Sequence, residues 1–228
     1  MFLYDTHVHT SEASPCGHNS AIKQVRLAKE RGCTGIIITD HIVQGYANCN
    51  DNIPWEQRVR FQLSSYEKAK AEGKKRGLDV FLGWEYTHWS LISGVDILTY
   101  GLDEKFLLAL PQLFTFNLEE YSHHVRKHGG YLAQAHPYRN LVNRAFEQKN
   151  FSPTLFDGAE VYNGSDSEEV NALGYDYALK YNLPMQAGSD SHGVGRPATG
   201  GVVLEEKAKS IFDIINAIKS GNVKLITT

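Results

Sequence analysis

Histidine and carboxylate residues fall in short clusters along the chain, each following a short apolar segment. The earliest is the pair His7 and His9, whose spacing lets both rings point the same way in an extended segment. The later clusters read Thr39-Asp40-His41, Gly83-Trp84-Glu85, Ala135-His136-Pro137 and Gly188-Ser189-Asp190-Ser191-His192. Imidazoles and carboxylates are ligand types that suit zinc, manganese and iron. The pattern therefore predicts a metal site.

The metal interpretation depends on the whole set of clusters. A single histidine at a strand end is more often a hydrogen-bonded structural residue. Several carboxylates converging on one place, however, cost free energy unless cations neutralise them. Asp96, Glu160 and Asn163 add further polar groups on or before predicted strands. His88, just beyond Glu85, is either a substrate contact or a residue on a loop surface.

The elements that must position these residues alternate between short strands and helices. Strands are predicted over residues 2–5, 35–39, 80–84, 96–100, 131–135, 159–162 and 185–187. Helices are predicted over residues 20–31, 55–76, 118–128, 167–181 and 210–220, with His123, His124 and His128 on a solvated helix face. Such alternation predicts a parallel sheet, open or closed into a barrel. The segment after the first strand lacks the glycine-rich loop of open nucleotide-binding sheets, which favours a barrel whose strand ends meet at one mouth.

Composition limits the classes of protein that fit. The chain has 228 residues, 42% of them hydrophobic and 21% charged, which predicts one globular domain over residues 1–228. A formal charge of -3 gives no general attraction to extended nucleic acid or to anionic membranes. Apolar runs such as Gly35-Ile36-Ile37-Ile38 are far shorter than the roughly 20 residues of a membrane span. With no secretory signal recognised at the start, we expect a cytoplasmic protein.

The cysteines do not form a metal-binding or disulfide pattern of their own. Cys16, Cys33 and Cys49 are an odd set without C-x-x-C spacing. This argues against a disulfide framework and against a cysteine-rich zinc module. The metal site is therefore expected to use histidines and carboxylates alone.

In order, the motifs H-x-H, T-D-H, G-x-E, H-P and G-S-D-x-H resemble those of the PHP (polymerase and histidinol phosphatase) family of metal-dependent phosphoesterases. The resemblance spans residues 5–192. It implies a distorted (β/α)7 barrel, similar to a TIM barrel, that holds two to three divalent ions of zinc, manganese or iron. It also implies ligand sets, which transfer motif by motif.

The first ligand set implied by the resemblance is His7, His9, Glu85 and Asp190. Glu85 is implied to bridge to a second metal. The remaining ligands of that second metal are implied to be His136 and Asp96, which stands where the family has a histidine.

The third metal is implied to bind His41, His192 and a residue of the loop after H-x-H. That loop reads Ser11-Glu12-Ala13-Ser14-Pro15-Cys16-Gly17-His18 and lacks the family's common S-D-G. Glu12 is the preferred ligand there and His18 is the alternative. Asp40 is interpreted as a hydrogen-bond partner of a ligand histidine, since metal-bound imidazoles usually donate their other N–H group.

The predicted reaction is hydrolysis of a phosphate ester by a hydroxide that bridges metals of a di- or trinuclear cluster. The catalytic candidates are His192, Glu85 and Asp190. Arg139, Arg196 and His18 are the candidates for substrate binding, because guanidinium groups bind phosphate through two hydrogen bonds. The expected substrate is a small-molecule or nucleotide phosphate, with monoesters favoured over diesters.

Two alternatives stay open at this point. One is an amidohydrolase-type metal hydrolase, since H-x-H and G-S-D-x-H also occur in that wider group. The other is a non-catalytic sensor that binds metal or a phosphorylated ligand. No membrane partner is expected, and the sequence leaves the oligomeric state open.

Overall fold

A computed structural model describes residues 1–42, 52–89, 94–139, 151–193 and 199–227. Within them, ten strands form one sheet: β1 Phe2–Val8, β2 Gly35–Ile38, β3 His41–Ile42, β4 Asp79–Trp89, β5 Gly94–Tyr100, β6 Tyr131–Gln134, β7 Gly158–Asn163, β8 Met185–Gly188, β9 Gly201–Leu204 and β10 Lys224–Ile226. The strand order is β10-β9-β1-β2-β4-β5-β6-β7-β8, with β3 paired to β4.

The sheet curls until β8 approaches β1. Val8 forms a parallel bridge with Ser191 just beyond β8. The hydroxyl of Thr6 donates to the Ala187 carbonyl at 2.9 Å, and the His9 amide donates to the Ser191 carbonyl at 3.2 Å. The result is a nearly closed barrel, so the predicted fold class is confirmed.

The sheet is not entirely parallel, which corrects one sequence prediction. β5 runs antiparallel to both β4 and β6, and β9 runs antiparallel to β1 and β10. The physical reason at β5 is the length of the connection. β4 continues to Trp89, so only residues 90–93 separate it from β5. A parallel crossover needs a dozen or more residues, whereas an antiparallel pair needs only a few.

The helices that surround the sheet are α1 Ala21–Glu30, α2 Trp55–Arg76, α3 Glu104–Leu108, α4 Leu118–Lys127, α5 Glu168–Tyr181 and α6 Ile211–Lys219. α3 was not predicted; the other helices agree with prediction to within a few residues. The hydroxyls of Ser20 and Ser167 cap α1 and α5 by accepting backbone N–H groups. No helix in the described parts of the chain is both long and apolar enough to cross a membrane.

Both faces of β2 are buried, which explains its uninterrupted apolar sequence. Ile36 and Ile38 pack in one cluster with Val25 of α1, whereas Ile37 packs in another with residues of the barrel interior. The three histidines that were predicted to lie on a solvated helix face are not part of these clusters. His123 is exposed on α4, His128 is exposed just after it, and His124 is half-buried beside Phe116. The apolar residues thus form the core, and the polar residues lie at the strand ends.

Candidate metal centre

His7 and His9 lie at the end of β1 with their side chains fully buried. Their Nε2 atoms are 3.0 Å apart. His7 Nδ1 donates to Glu160 Oε1 at 2.9 Å, so in the neutral ring Nε2 carries a lone pair and no proton. Nδ1 of His9 contacts the Ser14 hydroxyl at 3.0 Å. The two rings therefore direct nitrogen atoms at one point, as ligands of a shared cation do.

Glu85, from the middle of β4, stands at the centre of the cluster. Its Oε2 is 3.4 Å from His7 Nε2, 3.1 Å from His9 Nε2 and 3.3 Å from His41 Nε2. Its Oε1 is 3.2 Å from His136 Nε2. The two carboxylate oxygens thus face different imidazoles. This is the arrangement expected of a carboxylate that bridges two cations.

Two groups of ligand atoms meet at Glu85. The first is His7, His9 and Glu85, and Asp190 Oδ1 lies 3.3 Å and 3.2 Å from the same two imidazole nitrogens. The second is Glu85, Asp96 and His136. Within each group the ligand atoms lie within 4.8 Å of one another. The structure therefore places Asp96 in one group with Glu85 and His136, and its role as a ligand stays a prediction.

The loop after β1 differs from expectation. Glu12 points away from the cluster: its Oε2 accepts the Ala21 N–H at the start of α1 at 2.9 Å, and its Oε1 lies 3.7 Å from Lys68 Nζ. The side chain of His18 is exposed. Cys16 lies in a third group of potential ligands, together with His9 and His192. Its thiol was not among the ligands predicted from the sequence.

His41 and His192 both stack against the ring of His9. Their centroids lie 4.8 Å and 4.6 Å from that of His9. His192 Nδ1 donates to the Asp190 carbonyl at 2.9 Å, which leaves Nε2 as its ligand atom. Both residues are thus close to the predicted cluster.

Asp40 has a different role from the predicted one. Its carboxylate accepts the Thr10 N–H at 2.6 Å, the Thr10 hydroxyl at 2.7 Å and the Ser65 hydroxyl at 2.6 Å. The imidazole of His41 instead lies 3.4 Å from the Thr87 hydroxyl. Asp40 therefore fixes the backbone after H-x-H and does not orient its neighbouring histidine.

Glu160 supports two of the proposed ligands, a role that was not predicted from the sequence. Besides His7, it accepts the His136 backbone N–H at 3.1 Å and the Asn163 Nδ2 group at 2.8 Å. Gly188 permits this close packing, because a Cβ there would lie 2.5 Å from His7 Cβ and 2.7 Å from Glu160 Oε1. One buried carboxylate thus orients two proposed ligands.

Arg139, which is predicted to hold substrate phosphate, forms hydrogen bonds and ion pairs with other residues of the site. Its Nε donates to Asp166 Oδ1 at 2.7 Å. Its Nη2 contacts Asn163 Oδ1 at 2.8 Å and Asp190 Oδ2 at 2.6 Å. Nη1 is the guanidinium nitrogen outside these contacts. Arg196 lies outside the described residues, and His88 lies within β4, where its ring and that of Phe151 form a T-shaped contact.

Electrostatics couple the carboxylates to the imidazoles. Burial alone would raise the pKa of Glu85, but His41, His7 and His136 outweigh it and hold that pKa well below its usual range. The same competition between burial and positive neighbours lowers the pKa of Asp190. Both carboxylates are therefore ionised, as ligands must be.

The imidazoles divide into two kinds. Burial opposes protonation of His7 and His9, but the surrounding carboxylates outweigh it, raising the pKa of His7 well above its usual value and that of His9 to about 9. Burial lowers the pKa of His41, and it lowers that of His192 to about 4. The raised pKa values of His7 and His9 reflect surrounding carboxylates that favour positive charge at this place, which bound cations would supply.

Three features fit divalent cations. Oδ1 of Asp96 and Oδ1 of Asp190 are buried without a hydrogen-bond partner among the described atoms. His136 and Asp190 have left-handed backbones, with φ of 26° and 50°, and such strained conformations in residues other than glycine concentrate at functional sites. The donor set of imidazoles and carboxylates matches zinc, manganese and iron. The residues present therefore fit the implied metals.

Comparisons with known proteins give a family match over part of the chain and solved structures of similar fold. Residues 168–223 match a family model described as PHP-associated. The fold resembles that of a proposed metal-dependent phosphoesterase from Bifidobacterium adolescentis, with 17% identity, a TM-score of 0.60 and coverage of 97% of this chain and 96% of that one. A search of curated proteins gives no match.

Two further structures share the fold. One is a two-domain protein from Bacteroides vulgatus containing a predicted PHP-like metal-dependent phosphoesterase, with 17% identity, a TM-score of 0.70 and coverage of 99% of this chain and 64% of that one. The other is an amidohydrolase from Chromobacterium violaceum with bound sulfate and no metal, with 15% identity, a TM-score of 0.65 and coverage of 98% and 97%. The PHP-associated match thus supports the resemblance to the PHP family over residues 168–223, and the three structures show the fold.

Proposed function

We propose that this chain is a metal-dependent phosphoesterase that hydrolyses a phosphate monoester of a small molecule or nucleotide. The observation that carries the proposal is Glu85, whose Oε2 faces the imidazoles of His7, His9 and His41 and whose Oε1 faces that of His136. The PHP-associated match and the shared fold support the same class.

The chain's residues would hold the metals in two main positions. His7, His9 and Asp190 bind at one side of Glu85, and His136 and Asp96 bind at the other. When bound, a pair of cations supplies a water of lowered pKa as nucleophile and neutralises charge at the leaving oxygen. Glu160 keeps the His7 lone pair directed at the first position through its hydrogen bond to Nδ1.

Substrate phosphate would be held beside the metals by Arg139. Asp166 and Asp190 fix the plane of its guanidinium group, so that Nη1 can donate to a phosphate oxygen without reorganisation. His192 and Arg196 stay predictions as proton donor and second phosphate contact. A monoester fits because its three non-bridging oxygens, which share two negative charges, need several cationic partners.

The test is elemental analysis of protein purified without chelator, followed by a panel of phosphate monoesters and diesters with zinc, manganese, iron or magnesium. We expect two to three metal equivalents and turnover of monoesters that Glu85→Gln abolishes. Glu206→Gln, the same change at an exposed residue, is the matched control. Protein that stays metal-free after reconstitution, or loaded protein inert toward every phosphate ester, would refute the proposal.

The panel also separates the amidohydrolase alternative, which the fold shared with the Chromobacterium violaceum structure supports. Amides and lactones belong in the same assay. Turnover of these and not of phosphate esters would favour that chemistry.

A further inference from the structure

The thiol of Cys16 lies at the outer edge of the metal centre. Its Sγ and ligand atoms of His9 and His192 lie within 4.8 Å of one another. Cys16 is partly buried, and neither metal position at Glu85 uses it.

The loop that carries Cys16 is closely folded onto the site. The Ser14 amide donates to the Thr10 carbonyl at 3.1 Å, and the Gly17 amide donates to the Ser14 carbonyl at 3.0 Å. A Cβ on Gly17 would lie 2.3 Å from the Thr10 carbonyl oxygen, so the turn requires glycine beside the cysteine. The His18 amide then donates to the His192 carbonyl at 2.7 Å. The thiol and the imidazole of His192 are thereby held together.

A second observation points to a cation at this place. Asp190 is fully buried, and its Oδ1 lacks a hydrogen-bond partner among the described atoms. That oxygen lies 3.2 Å from His9 Nε2 and 3.5 Å from His192 Nδ1, and these are the two imidazoles that are grouped with Cys16. His192 donates through Nδ1 to a backbone carbonyl, so its Nε2 is available as a ligand atom.

We infer that Cys16 is a thiolate ligand of a third metal ion, bound together with His192 beside His9, in the place where the motif comparison implied Glu12 or His18. The inference rests on the proposed metal cluster. On binding, the sulfur–metal bond forms and the thiol proton passes to solvent. A thiolate ligand selects zinc or ferrous iron over the harder magnesium ion. The outer position would therefore differ in metal preference from the two at Glu85.

Cys33 is the other cysteine among the described residues. It is buried in an aliphatic cluster with Val25 and Ala28 and belongs to none of the groups of potential metal ligands among the described residues. The double variant Cys33→Ala/Cys49→Ala therefore leaves Cys16 as the sole thiol. This Cys16-only protein and its Cys16→Ser derivative are each loaded with cobalt(II), and the near-ultraviolet thiolate-to-cobalt charge-transfer band and bound cobalt are measured.

We expect the band in the Cys16-only protein and its loss in the Cys16→Ser derivative, with one cobalt equivalent fewer. Two or more equivalents without a thiolate band in the Cys16-only protein would overturn the inference and leave the proposed function standing. Binding of no metal at all would overturn both.

Alkylation keeps the test decisive if Cys16→Ser does not fold. In the Cys16-only protein, zinc should slow modification by N-ethylmaleimide by about tenfold or more, because a metal-bound sulfur is a poorer nucleophile. Magnesium should leave the rate unchanged. Equal rates with zinc, with magnesium and without metal would contradict thiolate ligation.

Discussion

Glu160→Gln should weaken metal binding without changing any proposed ligand. Oε1 of Glu160 accepts from His7 Nδ1 at 2.9 Å. Oε2 accepts the His136 N–H at 3.1 Å and the Asn163 Nδ2 group at 2.8 Å. Glutamine has almost the same shape, but an NH2 donor replaces one of these acceptors.

Neither orientation of the glutamine amide satisfies all three donors. With its oxygen toward His7, its NH2 group faces the donors of His136 and Asn163. With its NH2 group toward His7, Nδ1 must accept, and the ring proton moves to Nε2. That nitrogen is the one directed at His9, and it cannot bind a metal while it carries a proton.

The magnitude follows from the bonds that are lost. A hydrogen bond to a charged group contributes about 1.5–3 kcal/mol, so we expect the free energy of unfolding of the metal-free protein to fall by about that amount. Removal of a partner that orients a ligand histidine typically costs about 10–100-fold in metal affinity, equivalent to about 1.4–2.7 kcal/mol.

Competition with a chromophoric chelator measures the Kd for zinc and manganese in the wild type and in Glu160→Gln. Glu206→Gln provides the control, since it makes the same change on an exposed side chain. A folded Glu160→Gln protein whose Kd stays within about twofold of wild type would refute the argument that Glu160 fixes the His7 ring.

Four other substitutions test separate parts of the account. Glu85→Gln should lose metal by elemental analysis, because its oxygens face different imidazoles; retention of full metal content and wild-type kcat would place it outside the centre. Arg139→Lys keeps the charge but not the planar fork, so kcat/KM for phosphate esters should fall about 10–100-fold at constant metal content; intact turnover would contradict a phosphate contact. In Gly188→Ala the new Cβ would lie 2.5 Å from His7 Cβ, and calorimetry should show a Tm lower by about 2–12 °C, whereas an unchanged Tm would contradict the tight packing. Asp213→Ala removes an acceptor of two backbone N–H groups before α6 and should reduce the free energy of unfolding by about 1 kcal/mol at neutral pH. Because these bonds lower the pKa of Asp213, its contribution is present above about pH 3.9 and is lost as the pH falls below that, and a difference from wild type that persists in acid would contradict this assignment.

The barrel and the convergence of strand-end residues were predictable from the sequence. Alternating strands and helices place carboxyl ends at one mouth, and His7, Glu85 and His136 do meet there. The spacing of H-x-H was informative because an extended strand fixes the relative direction of its side chains.

Loop residues were less predictable, because their direction depends on turn geometry and not on a period. Glu12 was preferred from its charge, yet its carboxylate binds the start of α1. Cys16 was set aside for lack of a cysteine motif, although the turn at Gly17 brings it to His192. The C-G-H sequence of residues 16–18 places two metal-ligand types, a thiol and an imidazole, close together, and this could have indicated a metal ligand in the loop.

The local sequence pattern also could not predict how β5 pairs with its neighbours or which side chains Arg139 contacts. The antiparallel β5 followed from β4 extending past the predicted end to Trp89, which shortened the connection. Arg139 stays a predicted phosphate contact, but the contacts of two of its nitrogens with Asp166, Asn163 and Asp190, residues distant in sequence, could not be predicted from the local pattern. Such contacts become visible only once the barrel closes.

The central claim is that the Glu85 carboxylate holds two metal ions. A crystal structure of protein purified without chelator, with anomalous diffraction recorded at the zinc, iron and manganese edges, tests it most directly. We expect one anomalous peak beside His7 and His9 and another beside His136, on either side of Glu85. A natively folded protein with no peak at either position, even after reconstitution with the three metals, would contradict it.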